Sequence, residues 1–164
     1  MGYYTVCQSP IGDIYIVLEE KSITSVHIGI EDFEKLERNE NLIYSDENPV
    51  LINARKQMEE YFAGKRREFD LPILEKGTSF QRKVWEQLTL IPYGETASYQ
   101  DVAIAIGKKE AVRAIGQANK ANNLPIIIPC HRVIGKNQSL TGYAGKRINI
   151  KEKLLLLEGA SFKR

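Results

Sequence analysis

The stretch that most constrains this chain is "LPIIIPCHR", residues 124–132, in which Pro125 and Pro129 bracket three isoleucines. Each proline removes a backbone donor and clashes with a preceding helical turn, so a helix is excluded here. A short apolar run bounded in this way predicts a buried extended segment, with the chain re-emerging at Cys130. The exit point matters because the chain has only two cysteines and two histidines, and Cys130 and His131 stand side by side. A free cysteine commonly packs as a small hydrophobe. An imidazole or a nearby cation instead favours the thiolate, and His131 and Arg132 offer both. Neighbours on an extended chain point opposite ways, so His131 is expected to act on Cys130 through a bridging water.

On either side of this run the text changes character. Residues 3–30 carry short β-branched and aromatic runs broken at Ser9-Pro10, Gly12-Asp13 and residues 19–22, which predicts two or three antiparallel strands. In "SVHIGI", Val26, Ile28 and Ile30 share one face, leaving His27 at the surface. "PVLINARKQMEEYF", residues 49–62, has helical spacing and ends at Gly64. Residues 64–79 read as a turn, a short extended segment and a polar linker. The second half is mostly helical. A helix over 78–91 starts at a Thr or Ser cap and stops before Pro92. Another over 96–107 closes on Gly107, and a third over 108–122 follows at once, making a helix-turn-helix candidate. The boundary is placed so that residues 1–75 form an N-terminal α/β domain and 78–164 a mostly helical one.

Charge divides at the same point. Residues 1–76 hold nine Lys and Arg against fifteen Asp and Glu, and residues 77–164 hold fourteen against six. Such asymmetry suggests that the basic half meets a polyanion. At about 100° per residue, Lys109, Arg113, Gly116 and Lys120 fall on one face of the 108–122 helix. Ala111, Val112, Ile115 and Ala118 fall on the other, which is expected to pack inward. Glycine within a helix costs about 1 kcal/mol relative to alanine. A merely solvated face has no use for it, whereas a ligand approaching the backbone does.

Other classes are excluded or left without support. The apolar runs are too short to span a bilayer, and "MGYYTVCQSP" lacks the layout of a signal peptide. Two cysteines make no disulfide framework, so a reducing, cytoplasmic setting is expected. A four-ligand structural zinc site would need more Cys and His than remain once Cys130 and His131 are used. A histidine acting as a base is normally oriented by a third group. Glu158, ending the helix "INIKEKLLLLEG", is the candidate, since a carboxylate there opposes the helix dipole. The residues by themselves leave three readings open. They are a cysteine nucleophile that acts on nucleic acid, a non-catalytic DNA-binding regulator, and a cysteine hydrolase pairing Cys130 with His27.

"PCHRV", preceded by "NNLPIII" and followed by "TGYAG" and "KLLLLEG", resembles the O6-alkylguanine-DNA alkyltransferases, also called methylated-DNA–protein-cysteine methyltransferases. "FQRKVWEQLTLIPYGETASYQDVA", "AVRAIGQAN" and "YFAGKRREFDLPI" extend the likeness over roughly residues 58–160. The resemblance implies an α+β chain, with an N-terminal RNase-H-like antiparallel sheet and helix before a winged helix-turn-helix-like domain. It implies single-turnover repair of alkylated guanine, and of O4-methylthymine, in double-stranded DNA, by a monomer that needs no cofactor, metal or membrane. Cys130 would be the alkyl acceptor, His131 its base, Glu158 the residue orienting that base, and Tyr99 a proton donor to the leaving guanine. Asn122 would brace the turn before the active-site loop. Arg113 would enter the duplex in place of the extruded base, with Ala111, Ala114 and Gly116 against the minor groove and Lys109 and Lys120 on DNA. Tyr143, Ala144, Gly145, Pro125 and Arg132 would line the base pocket.

Overall fold

The alternating text at the N-terminus forms three strands, β1 (Gly2–Cys7), β2 (Ile14–Glu19) and β3 (Ser22–Ile28). They pair antiparallel in chain order. The computed structural model describes residues 2–37, 41–135 and 148–162, and it divides at Lys76–Gly77 into two units. Two further elements of the first unit carry weak signals in the sequence, helix α1 (Ile30–Glu37) and the three-residue strand β4 (Leu42–Tyr44). β4 pairs parallel with β1, so the sheet has the order β3-β2-β1-β4 and is mixed rather than purely antiparallel. β2 is buried from Ile14 through Leu18 because both faces are covered. Tyr15 and Val17 pack with Phe33 of α1, and helix α2 (Pro49–Phe62) packs on β1 and β2. Asn48 caps α2, its Oδ1 accepting from Val50 N at 2.9 Å and Leu51 N at 3.3 Å.

Two expectations for this unit are corrected. His27 is not a free surface residue. Its ring nitrogens lie 2.9 Å from Asp32 Oδ2 and 2.9 Å from Ser25 Oγ, and its side chain is 14% exposed. Ile30 does not continue the apolar face of β3, because the strand ends at Ile28 and Ile30 opens α1, half exposed.

The second unit begins with α3 (Ser79–Thr89). Thr78 and Gln81 form a reciprocal cap, with Gln81 N donating to Thr78 Oγ1 and Thr78 N donating to Gln81 Oε1. Val84, Trp85 and Leu88 face inward, and Trp85 Nε1 donates to Ala118 O at 2.8 Å. A two-residue strand β5 (Ala97–Ser98) leads into α4 (Tyr99–Ala105), capped by Ser98, and Gly107 turns the chain at φ +77 into α5 (Val112–Lys120). α3, α4 and α5 pack on one another. Among the described residues no helix is long and apolar enough to cross a membrane.

α5 is shorter than its sequence pattern predicts. It starts at Val112, with Ala111 as a cap residue that makes no side-chain hydrogen bond. Lys109 therefore lies in the turn before the helix, not on its face. The buried face is Ile115, Ala118 and Asn119, and Val112 is exposed rather than packed inward. Apolar periodicity cannot register an asparagine on the inner face.

The proline-bracketed run is buried but not extended. Ile126 has φ +76, a left-handed conformation costly for a β-branched residue, and Ile128 N donates to Leu124 O at 2.8 Å, closing a tight turn. Ile126 and Ile128 are nonetheless fully inside. Past Pro129 the chain makes one 3-10 turn, Cys130–Arg132, then strand β6 (Val133–Ile134), which pairs parallel with β5. The last helix is α6 (Ile148–Glu158).

Candidate active site

Cys130 stands at the first position of the 3-10 turn and is 4% exposed. The turn fixes what an extended chain would not, because successive side chains diverge by about 120° rather than pointing oppositely. Its backbone is held from both sides. Cys130 N donates to Ile128 O at 2.7 Å, and Cys130 O accepts from Asn119 Nδ2 at 3.3 Å. Asn122, just past α5, spans the preceding turn. Its Nδ2 donates to Ile128 O and its Oδ1 accepts from Leu124 N, each at 2.9 Å. These bonds hold Ile126 in a conformation it would not adopt alone. Pro125 is buried within this turn.

His131 is fully buried, and its Nε2 donates to Glu158 Oε2 at 2.7 Å. With the proton on Nε2, neutral imidazole keeps its basic lone pair on Nδ1. Burial pushes the His131 pKa below its ordinary value, against the opposing pull of Glu158. At neutral pH His131 is thus an uncharged base of fixed tautomer.

Glu158 is the hub. It lies in the last turn of α6, where the helix dipole disfavours a carboxylate, and three charge-assisted bonds offset that cost. Besides His131, Arg132 Nε donates to Oε1 at 2.8 Å and Arg132 Nη2 to Oε2 at 3.1 Å. Arg132 Nη1 donates to Ile91 O at 2.7 Å, and its guanidinium lies over the Tyr93 ring. Arg132 is therefore tied to Glu158 and to the end of the α3 segment, beside the His131–Glu158 pair. Gly159, at φ +72, ends α6 directly after Glu158.

Lys151 was not anticipated. It is fully buried on α6, its Nζ donating to Val133 O and lying 5.9 Å from the centre of the Tyr99 ring. Burial lowers its pKa to about 8, and the Cys130 charge acts in the opposite direction, favouring the ammonium. Lys151, Leu154, Leu155 and Glu158 recur at three- and four-residue spacing and form one buried stripe of α6. Cys7, by contrast, is wholly buried in the first unit and its thiol is pushed up to about 11, chiefly by desolvation. That thiol is inert.

The outer face of α5 carries Arg113 and Lys120, both exposed, with Ala114 exposed and Ala111 and Gly116 part-exposed. A methyl group at Gly116 would meet only Tyr99 Cε1, at 4.0 Å, an ordinary contact. Packing therefore does not require glycine at this position. Tyr99 heads α4, part-exposed. Tyr143, Ala144 and Gly145, the expected pocket wall, lie outside the described residues.

Two family models match this chain. Residues 2–74 match the ribonuclease-like domain of 6-O-methylguanine DNA methyltransferase, and residues 79–160 match its DNA binding domain. The chain belongs to the 6-O-methylguanine DNA methyltransferase family. It is 50% identical over 163 residues to the constitutive methylated-DNA–protein-cysteine methyltransferase of Bacillus subtilis, covering 99% of each chain. The methylated-DNA–protein-cysteine methyltransferase of Methanosarcina acetivorans is 43% identical, covering 96% of this chain and 99% of the relative. Among solved structures, Mycobacterium tuberculosis O6-methylguanine methyltransferase superposes with a TM-score of 0.86 at 40% identity, covering 97% of this chain and 93% of that one. The M. tuberculosis OGT structure in complex with DNA gives a TM-score of 0.85 at 39% identity, covering 96% and 92%. Within this methyltransferase family the α+β layout of sheet unit and helical unit is the shared architecture.

Proposed function

We propose that this chain repairs duplex DNA by moving the alkyl group of O6-alkylguanine, or of O4-methylthymine, onto its own Cys130, once per molecule. The observation that carries the reading is the 3-10 turn that joins a scarcely exposed Cys130 to a buried, neutral His131 held by Glu158. Such an arrangement makes a thiolate on demand and then shields it.

In this reading His131 takes the Sγ proton through a water, and the thiolate displaces the guanine oxygen at the alkyl carbon. The carbon–oxygen bond breaks with its electron pair leaving on the base, and Tyr99 donates the proton that neutralises it. Cys130 ends as a thioether and the guanine is restored. Since the thioether is stable and no second nucleophile takes part, turnover stops at one.

A base within a duplex is out of reach of a buried thiol, so the nucleotide must be extruded at a cost of a few kcal/mol. Arg113 fills the vacated space. Ala111, Ala114 and Gly116 let α5 lie close in the minor groove, with Lys109 and Lys120 on flanking phosphates. Tyr143, Ala144, Gly145 and Pro125 would face the extruded base. The hydrolase alternative is weakened because His27 is engaged with Asp32 and Ser25. The two free thiols suit a cytoplasmic location.

The test is a Cys130→Ser variant. It is expected to bind alkylated duplex as the unaltered chain does and to leave the lesion in place. Repair by Cys130→Ser would refute the assignment.

A further inference from the structure

Asn119 is the only polar residue on the buried face of α5, and it is 4% exposed. Its Nδ2 donates to the carbonyl of Cys130 at 3.3 Å, while its Oδ1 is buried and meets no donor among the described residues. A half-satisfied buried amide destabilises a fold, and an apolar residue there would complete the inward stripe. The amide is therefore costly to the fold, and its donor half points at the acceptor residue.

The bond has a particular lever. Cys130 O belongs to the peptide that joins the nucleophile to its base, so rotating that carbonyl changes how Cys130 and His131 are set relative to one another. At 3.3 Å the bond lies at the long end for N–H···O, and Cys130 O also accepts from Val133 N within the 3-10 turn, so Asn119 and that turn together set the direction of the carbonyl. Neighbouring residues add two more ties. Ala118 O accepts from Trp85 Nε1 of α3, and Asn122 holds Ile128 O and Leu124 N. Asn119 and Asn122 thus connect the end of α5 to the segment that carries the acceptor, and Ala118 ties it to α3, while Arg113 and Gly116 of the same helix face outward.

We propose that Asn119 is a positioning residue that couples the seating of α5 on DNA to the alignment of Cys130 with His131. The proposal rests on the function proposed above. When α5 is pressed against the duplex the Asn119–Cys130 bond shortens, so the reactive geometry is completed only with DNA in place.

The test compares the full chain with Asn119→Leu and with Asn119→Asp, which keeps the shape but replaces the donor with an acceptor. Single-turnover methyl transfer to Cys130 is followed with duplex containing O6-methylguanine and with free O6-methylguanine base. Duplex affinity and thermal stability are measured alongside. Both variants are expected to lose about tenfold or more in the duplex reaction beyond any loss with free base, the size of an ordinary coupling between sites. Duplex affinity is expected to stay within about threefold, under 1 kcal/mol. Equal losses with both substrates would mean a merely structural role and overturn the proposal, as would unchanged duplex rates or a loss explained by weaker binding. Should Asn119→Leu fail to fold, Asn119→Asp decides. If the unaltered chain leaves duplex lesions untouched, it is the repair reading that fails.

Discussion

His131 Nε2 donates to Glu158 Oε2 at 2.7 Å with both side chains fully buried, and the same carboxylate takes two bonds from Arg132. One residue therefore orients the base and neutralises a buried guanidinium. Replacing Glu158 by glutamine keeps its shape but removes the charge. Removing one partner of a buried ion pair costs about 3–5 kcal/mol, so a fall of that order in unfolding free energy is expected from denaturant titration. Methyl transfer should slow by about 10²-fold, the range for lost acid–base assistance. Unchanged stability and rate would show that Arg132 and His131 do not depend on Glu158.

The depressed His131 pKa gives a pH signature. In the folded chain the imidazole stays neutral below the ordinary histidine value of about 6.5. Transfer rates are expected to hold from pH 8 down through 6.5, where an unperturbed histidine would be half protonated, and to fall only further into acid. The same shift makes stability decline as pH drops below about 6.5, because the unfolded chain binds that proton first. A rate that halves at pH 6.5 would contradict the buried neutral base.

Lys151 predicts the opposite limb. Its folded pKa is lowered to about 8, while the unfolded chain keeps the proton to about 10.4. Between those values the folded form releases a proton that the unfolded form retains, so stability gains as pH rises. Relative to Lys151→Met, the unaltered chain should become more stable between pH 8 and 10. At neutral pH the variant should also react more slowly with iodoacetamide at Cys130, by about tenfold, if the ammonium favours the thiolate. Parallel stability curves would contradict the lowered pKa of Lys151.

Gly116 separates folding from binding. A methyl group there meets only an ordinary contact with Tyr99. Gly116→Ala is expected to raise unfolding free energy by about 0.5–1 kcal/mol through helix propensity. It should weaken binding to alkylated duplex severalfold because the helix backbone can no longer approach the groove. Tighter or unchanged binding would remove the reason given for this glycine.

The long helices were legible because apolar spacing and caps agree. α2 begins at Pro49 under an Asn48 cap, and α3 begins under the Thr78–Gln81 box. β4 was missed because three residues with Ile43 and Tyr44 about half exposed carry no pattern. The bend at Ile126 contradicts local preference and exists because Asn122 and the Leu124–Ile128 bond impose it from outside. Cys130 and His131 announce themselves by adjacency, and Glu158 by its awkward place at a helix end. Lys151 and Asn119 went unseen for a common reason. A polar residue on an apolar stripe looks like an interruption until the structure shows the buried carbonyl it serves, Val133 for one and Cys130 for the other.

The most direct measurement is peptide mass spectrometry after incubation with duplex carrying a single O6-methylguanine. The account predicts one methyl group on the peptide containing Cys130, none on that containing Cys7, restored guanine in the DNA, and a stoichiometry close to one. Folded protein that binds the duplex while Cys130 stays unmodified would contradict it, and would leave a DNA-binding protein without this chemistry.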